Sequence, residues 1–428
     1  MARVAVIGAG VMGLAAAYHA QKRGHEVTIY EAAPIAGGMA AHFDLGGLSI
    51  ERFYHFVCKT DLATFALLDE LGIADRMRWT PTSMGYFIDG KLYKWGDPIS
   101  LLLCPAIGFI SKIRYGLWVF ISSRRETWPS LEKENAKDWI IRWCGRPAYE
   151  RLWHALLHYK FYELADNISA AWIWTRIKRI GRSRRSLLQE ELGYLEGGSE
   201  TLVEALASAF RAASGTIRLG TPVERVLIRD GAVTGVRIAD AEVPVDAVIS
   251  TAPTPFVPDM IPDLPADVLQ KYRAIQNIGV VCVVLRLKRS VSKHFWVNIV
   301  GSSHEVPGII EFSNLRPVSD TVVYVPYYMP PSNEKWSWTN ERFLDDALAC
   351  IREVNPSVTA DDLITHHVGR LRHAQPVCPP GFAEMLPPIE TSIRGLQVAD
   401  TCFYYPEDRG ISESVRVGKE MALRVGAS

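Results

Sequence analysis

The sequence predicts an α/β fold divided into two interleaved domains. Residues 3–31 carry a strand, a glycine-rich turn, a helix and a second strand in unbroken order. Residues 79–190 then take on a helical, tryptophan-rich character, and strand-and-turn patterning returns from about residue 193. A chain of 428 residues is also too long for one ordinary core, which makes two domains the natural expectation.

The first stretch reads RVAVIGAGVMGLAAAYHAQKRGHEVTIYE. Gly8, Gly10 and Gly13 stand in G-x-G-x-x-G spacing between an apolar strand and a small-residue helix, and the second strand ends on Glu31. Gly8 allows a tight turn off the strand, Gly10 lets the backbone approach a pyrophosphate, and Gly13 lets the helix pack closely on the sheet. The helix opens with Val11 and Met12, and its free N–H groups and partial positive charge suit phosphates. Glu31 is placed to accept from a ribose hydroxyl. The unit is a Rossmann-like dinucleotide fingerprint, and alone it leaves FAD and NAD(P) both open.

Composition bounds the partners. With 48% hydrophobic and 22% charged residues the chain is globular, and Lys+Arg balances Asp+Glu at 47 each. That balance argues against general nucleic-acid binding, which needs a basic excess. The cysteines at 58, 104, 144, 282, 350, 378 and 402 form no C-x-x-C pair, so they read as buried thiols of a reducing compartment. The first apolar run belongs to the fingerprint and not to a signal peptide, which leaves a cytoplasmic location as the expectation.

After Glu31 comes AAPIAGGMA, where Gly37 and Gly38, followed by Met39, allow a second close backbone pass by the cofactor. The segment FDLGGLSIERFYHF turns at Gly46 and Gly47 and runs into Arg52, Tyr54 and His55. The G-x-G-x-x-G, the strand-terminal Glu and the E-x-x-x-x-x-G-G that follows together resemble the FAD-binding half of the flavin amine oxidase superfamily. That group takes in protoporphyrinogen oxidases, phytoene-type desaturases and, more distantly, UDP-galactopyranose mutases. The resemblance implies FAD as cofactor. It also implies a Rossmann-like FAD-binding domain built from residues 1–78, 191–255 and 389–428. The interleaved α+β substrate domain would consist of a helical insertion, 79–190, and a mixed sheet, 256–388.

Residues 61–75 read as a helix with a glycine stop. Nine of the twelve tryptophans fall within residues 79–174, either lining an apolar substrate cavity or packing a helical core. Residues 98–121 are strongly apolar, but Pro105, Lys112 and Arg114 interrupt a membrane-spanning reading. Burial is the expectation there, with peripheral membrane contact as the alternative. His154 and His158 are spaced to chelate, yet H-E-x-x-H lacks its Glu and no third ligand is evident, so no metal is expected. The run RIKRIGRSRR, from Arg176 to Arg185, reads as a solvated face or as a holder of a substrate phosphate or carboxylate.

The chain returns with LEGGSETLVEALASAF, a glycine pair before an amphipathic helix, and then three short strands through residue 250. In the family, a valine of the first strand contacts adenine and a Thr-Ala-Pro passes near the flavin; Val223, Ala252 and Pro253 occupy those places. Strands are expected at 279–287, 308–311, 321–328 and 363–370, with a helix at 341–355. His366 and His367 are adjacent on a strand and face opposite ways, so neither is expected to be catalytic. The last segment, GLQVADTCFYYPEDRGISESVRVGKEMALRV, resembles the family's final strand, loop and flavin-supporting helix, here 411–425. Asp400 replaces the usual Gly, while Arg409, Gly410 and Ile411 lead into a helix whose N-terminus suits negative charge at the N1–C2=O side of the ring.

Hydride transfer to flavin N5 needs positioning and water exclusion more than a side-chain nucleophile. The candidates for the flavin face are His55 and Arg52, after the Gly46–Gly47 turn, and Tyr405 in the last loop. Tyr404, Glu407 and Arg409 stand in that same loop as equal candidates to touch flavin or substrate, while His373, Gln375 and Lys288 are weaker ones. The expected activity is an FAD-dependent oxidoreductase acting on a C–C or C–N bond of an apolar or amphiphilic small molecule. The rival is a mutase-like enzyme acting on a nucleotide sugar without net redox.

Overall fold

The computed structural model describes residues 1–426. Its first layer is a five-stranded parallel sheet in the order Thr216–Arg218, Glu26–Tyr30, Arg3–Ile7, Ala247–Ser250, Leu396–Val398. The pairing of Val4 with Ala247 makes neighbours of strands 243 residues apart, and the central Arg3–Ile7 is apolar because both its faces are covered. Val4 and Val6 pack under the helices Val11–Lys22, Ser199–Ala212 and Ile411–Arg424. Ala5 and Ile7 pack under the antiparallel meander Arg225–Arg229, Ala232–Ile238, Ala241–Pro244. Where three strands were expected after residue 215, there are five, because the short runs Thr216–Arg218 and Ala247–Ser250 complete the parallel sheet.

The second layer is a seven-stranded mixed sheet in the order Leu363–Pro376, Asn277–Leu287, Thr321–Met329, Gly308–Glu311, Trp296–Val300, Met84–Ile88, Lys91–Trp95. Side chains alternate across it with the period of two that a strand imposes. Val281, Val283 and Leu285 pack on the amphipathic helix Asn340–Val354. Val280, Cys282 and Val284 face the helical insertion. Trp296–Val300 had no strand expectation.

The insertion departs from a purely helical reading. It opens with Met77–Thr82, paired to Gln189–Leu195, and with the hairpin Met84–Ile88 and Lys91–Trp95, which extends the seven-stranded sheet. The hairpin signal was Asp89-Gly90, both with positive φ (49° and 78°), the two-residue turn that matches strand twist. Helices follow from Pro98 to Arg182. Trp118, Trp139, Trp172 and Trp174 are fully buried among them, so these four form packed core.

A second departure is on the surface. Instead of being buried, helix Phe109–Arg124 turns Phe109, Ile110, Ile113, Leu117 and Phe120 outward, beside exposed Ile99, Leu102 and Leu103 of helix Pro98–Leu103. Among the described residues no helix is long and apolar enough to cross a membrane.

Glu51 ties the two layers together. Its buried carboxylate accepts from Arg316 Nη1 at 2.9 Å and from the Ser199 N–H at 3.2 Å, while its carbonyl accepts from the Tyr324 hydroxyl at 2.7 Å. Burial opposes ionisation, but His42 and Arg316 hold its carboxyl below the usual carboxylate range.

Candidate functional site

The glycine-rich turn has the shape the fingerprint requires. Gly8 adopts φ +101°, and a Cβ there would meet Thr251 Oγ1 at 2.6 Å. A Cβ on Gly13 would stand 1.9 Å from the Gly8 carbonyl oxygen, so only glycine lets the helix settle onto the turn. Gly10 differs, since a Cβ there would meet nothing within 4 Å and would point into open space. The helix Val11–Lys22 has no side-chain cap, and its first intrahelical bond runs from Leu14 N–H to the Gly10 carbonyl. The N–H groups of Val11, Met12 and Gly13 therefore remain at the end of the helix for an anion.

The second glycine turn lies on the first. Gly37 N–H donates to the Ala9 carbonyl at 2.8 Å, Gly38 packs against the Gly10 Cα, and half-buried Met39 follows in the turn Gly38–Ala40. Glu31 braces both turns: its carboxylate accepts from Ala9 N–H at 2.6 Å and Ala33 N–H at 2.8 Å, with a lone pair on each oxygen left for ribose hydroxyls. Thr221 N–H donates to the Glu31 carbonyl at 2.7 Å, which brings Val223 to the same end of the sheet.

At this same end of the parallel sheet, Ala252 and Pro253 are half-buried just beyond the strand Ala247–Ser250. Asp400 is turned away from open space. Its carboxylate accepts from Thr254 N–H at 2.7 Å and Cys402 N–H at 2.8 Å, locking together the loops that leave two adjacent strands, and burial raises its pKa. Gly410 precedes Ile411–Arg424, which also lacks a side-chain cap, so this helix too presents free N–H groups.

Two of the three catalytic candidates stand together on the chain after Glu51. His55 Nδ1 is buried without a hydrogen-bond partner, and burial pushes the imidazole down to about 4, so it is neutral at pH 7. Arg52 is half-buried beside His367, whose ring lies 4.3 Å from that of Phe43. Tyr405 is set apart from them. Its hydroxyl bonds Ser169 Oγ at 2.7 Å and Glu132, and its ring packs on Trp128 and Phe382, so it anchors the last loop to the insertion.

The loop 405–410 brings Arg409 toward the same chain. Arg409 donates to the Ala374 carbonyl and to the Tyr328 hydroxyl at 3.2 Å, and the Tyr328 hydroxyl stands 3.5 Å from that of Tyr54. Sequence reasoning missed Tyr328, Asp408 and Lys160. Lys160 Nζ lies over the rings of Tyr328 at 4.9 Å and Trp172 at 5.0 Å. Burial and then Arg176 hold this lysine well below the usual range. Lys288, the lysine singled out from the sequence, is exposed past the far end of its strand.

Helical periodicity sorts the basic run. Lys178 and Arg182 pair with Glu126 on the outside, whereas Arg179 forms a two-pronged pair with Asp61. Arg176 points inward, its guanidinium 3.7 Å over the Trp172 ring, four residues earlier on the helix. His154 and His158 stack with ring centroids 6.0 Å apart on the exterior, and no group of three or more candidate metal ligands occurs among the described residues.

The residues present fit a flavin dinucleotide: open space at Gly10, two uncapped helix N-termini, free acceptor positions on Glu31 and the unpartnered His55 Nδ1. The sequence profile described as flavin containing amine oxidoreductase matches residues 12–399. Protoporphyrinogen oxidase 2, chloroplastic/mitochondrial, of Arabidopsis thaliana is 38% identical over 155 residues, which is 35% of this chain and 30% of that protein's length. The fold superposes on a putative protoporphyrinogen oxidase from Exiguobacterium sp. 255-15 with TM-score 0.77, 18% identity and 98% of each chain covered. It also superposes on a reduced UDP-galactopyranose mutase with TM-score 0.76, 14% identity and 99% and 95% of the two chains covered. The chain belongs to the flavin containing amine oxidoreductase family, with FAD as its cofactor.

Proposed function

We propose that this protein is an FAD-dependent oxidoreductase that takes a hydride from a C–C or C–N bond of an apolar or amphiphilic small molecule. The observation that carries this reading is convergence: the strand ends that build the dinucleotide cradle lead to the chain bearing His55 and to the loop bearing Arg409. When bound, the flavin supplies the hydride acceptor. The chain's own part is to bind and orient. The N–H groups of Val11 to Gly13 and Glu31 hold the dinucleotide end, and the N-terminus of Ile411–Arg424 favours negative charge at the ring end. Tyr54, Tyr328 and Trp172 wall off water, and neutral His55 offers Nδ1 to fix a polar hydrogen of substrate or cofactor.

The outward stripe of helices Pro98–Leu103 and Phe109–Arg124 supports an apolar substrate taken from a lipid surface. Exposed Lys94, beside Ile99 and Leu103, and exposed Arg124, over the Phe120 ring, accompany that stripe, and such a pairing of apolar and basic groups suits an anionic bilayer. A mutase acting on a nucleotide sugar is the second reading, favoured by the inward cations Lys160 and Arg176.

The test is anaerobic mixing of the FAD-loaded protein with candidate substrates. Bleaching of the flavin absorbance, restored by an electron acceptor, supports the oxidoreductase. Turnover only after prior reduction, with no acceptor consumed, supports the mutase. A protein that takes up no FAD overturns both.

A further inference from the structure

We propose that Lys160, Arg176 and Arg409 form a subsite for the anionic head, a carboxylate or a phosphate, of the substrate. The proposal rests on the oxidoreductase reading for the word substrate, but the subsite is argued from its own residues. Three basic side chains from three elements converge here: Lys160 on His154–Phe161, Arg176 on Ala170–Arg182, and Arg409 in the loop before the last helix. One carboxylate stands among them. Asp408 Oδ2 is 2.5 Å from Arg176 Nη2, and Asp408 Oδ1 accepts from Gln375 Nε2 at 3.1 Å. Burial alone would raise Asp408, but Arg176, Lys160 and Arg409 together hold it well below the usual carboxylate range.

Asp408 cannot satisfy the whole cluster. Arg176 Nε and Nη2 are buried with no aligned hydrogen-bond partner. Among the described residues neither Lys160 nor Arg409 forms an ion pair. Buried donors left without acceptors are unfavourable, and an anionic ligand would complete them and draw the proton onto Lys160. The surrounding walls are aromatic: Trp172 lies under both Arg176 and Lys160, and Tyr328 lies under both Lys160 and Arg409. Flat apolar walls around a surplus of donors fit an amphiphile with its anionic end anchored here. The dinucleotide phosphates are accounted for elsewhere, at the turn around Gly10.

The test is equilibrium dialysis of the FAD-loaded protein with labelled decanoate and decyl phosphate, against decanol and decylamine as chain-matched controls. At least one of the two anions should bind about tenfold or more tighter than decanol, and Arg176→Met or Lys160→Met should each weaken that binding by about tenfold while decanol binding stays unchanged. Lys160→Arg should retain the anion preference, which separates lost charge from lost folding. The relative strength of decanoate and decyl phosphate tells carboxylate from phosphate. Equal binding of anions and neutral probes, or a preference that survives both methionine variants, overturns the subsite. A chain that takes up no FAD overturns the oxidoreductase reading instead, and dialysis on that apoprotein still reads the anion preference.

Discussion

The last helix meets the first backbone to backbone: a Cβ on Gly418 would lie 2.4 Å from the Met12 carbonyl oxygen and 3.0 Å from the Ala16 N. This contact fixes the helix whose N-terminus serves the ring end of the flavin against the helix whose N-terminus serves the phosphates. Helix propensity alone predicts that Gly418→Ala stabilises by about 1 kcal/mol. Close packing against main chain reverses that sign, and a net loss of about 1–3 kcal/mol is expected. Gly116 is the control, because its added Cβ would meet only Leu101 Cδ2 at 3.5 Å. Gly116→Ala should be neutral or gain up to about 1 kcal/mol in the same urea titration. Equal effects at the two sites would contradict the packing.

Gly10 tests the cradle without disturbing the fold. Its missing Cβ faces open space, so Gly10→Val should leave the apoprotein's melting temperature nearly unchanged and abolish FAD uptake. Glu31→Ala should act on both, because its carboxylate braces Ala9 and Ala33 in the apoprotein. The expected loss is about 1–3 kcal/mol of stability, together with weaker FAD binding. Full flavin content in purified Gly10→Val would displace the proposed phosphate site.

Tyr405 separates anchoring from chemistry. Removing its hydroxyl in Tyr405→Phe takes one donor from buried Glu132, which keeps the Ala383 N–H at 2.8 Å. A stability loss of about 1–2 kcal/mol is expected, with the rate of flavin reduction by substrate little changed. A large fall in that rate with unchanged stability would return Tyr405 to the chemistry.

The imidazole of His55 gives a pH signature. Burial lowers its pKa from 6.5 to about 4 in the folded chain, so folding favours the neutral ring. Its contribution to stability is therefore complete above the unfolded value of 6.5 and is lost as pH falls toward 4. Other buried groups titrate in the same range, Glu407 among them at about 7, so the readout is the difference between the wild type and His55→Gln. That difference should shift in favour of the variant below pH 6.5, by up to about 1.4 kcal/mol per pH unit. Parallel stability curves for the two proteins would show that His55 is not enclosed.

The parts legible in the sequence were those in which backbone geometry dictates residue type. Gly8, Gly10 and Gly13 announced the turn because no other residue fits two of those places, and the alternation from residue 279 announced a sheet strand. The hairpin at 84–95 was obscured because its aromatic residues were grouped with the tryptophans of the helices, although Asp89-Gly90 marked its turn. Lys160 and Arg409 carried no local signal, since their meeting depends on a helix and a loop some 250 residues apart. Arg176 was visible only as one member of a basic run. Its inward direction needed the helix phase, with Trp172 one turn before it.

The exposed stripe bears on where the protein meets its substrate. Phe109, Ile110 and Ile113 are respectively 69%, 75% and 52% exposed, a cluster that water alone does not favour. Lys94 and Leu188 share a hollow with Ile99 and Leu103, which carries the apolar surface on toward the end of the insertion. An interfacial helix binds through buried apolar area plus attraction to anionic lipid, so the wild type should float with phosphatidylglycerol-rich vesicles and less with neutral ones. Ile110→Glu leaves the core untouched and should keep the melting temperature, yet it removes about 1.5–3 kcal/mol of burial, or about 10- to 150-fold in partitioning. Salt should weaken the wild type further by screening the basic rim. A wild type that stays with the aqueous layer at low ionic strength would show that this face meets something other than a bilayer.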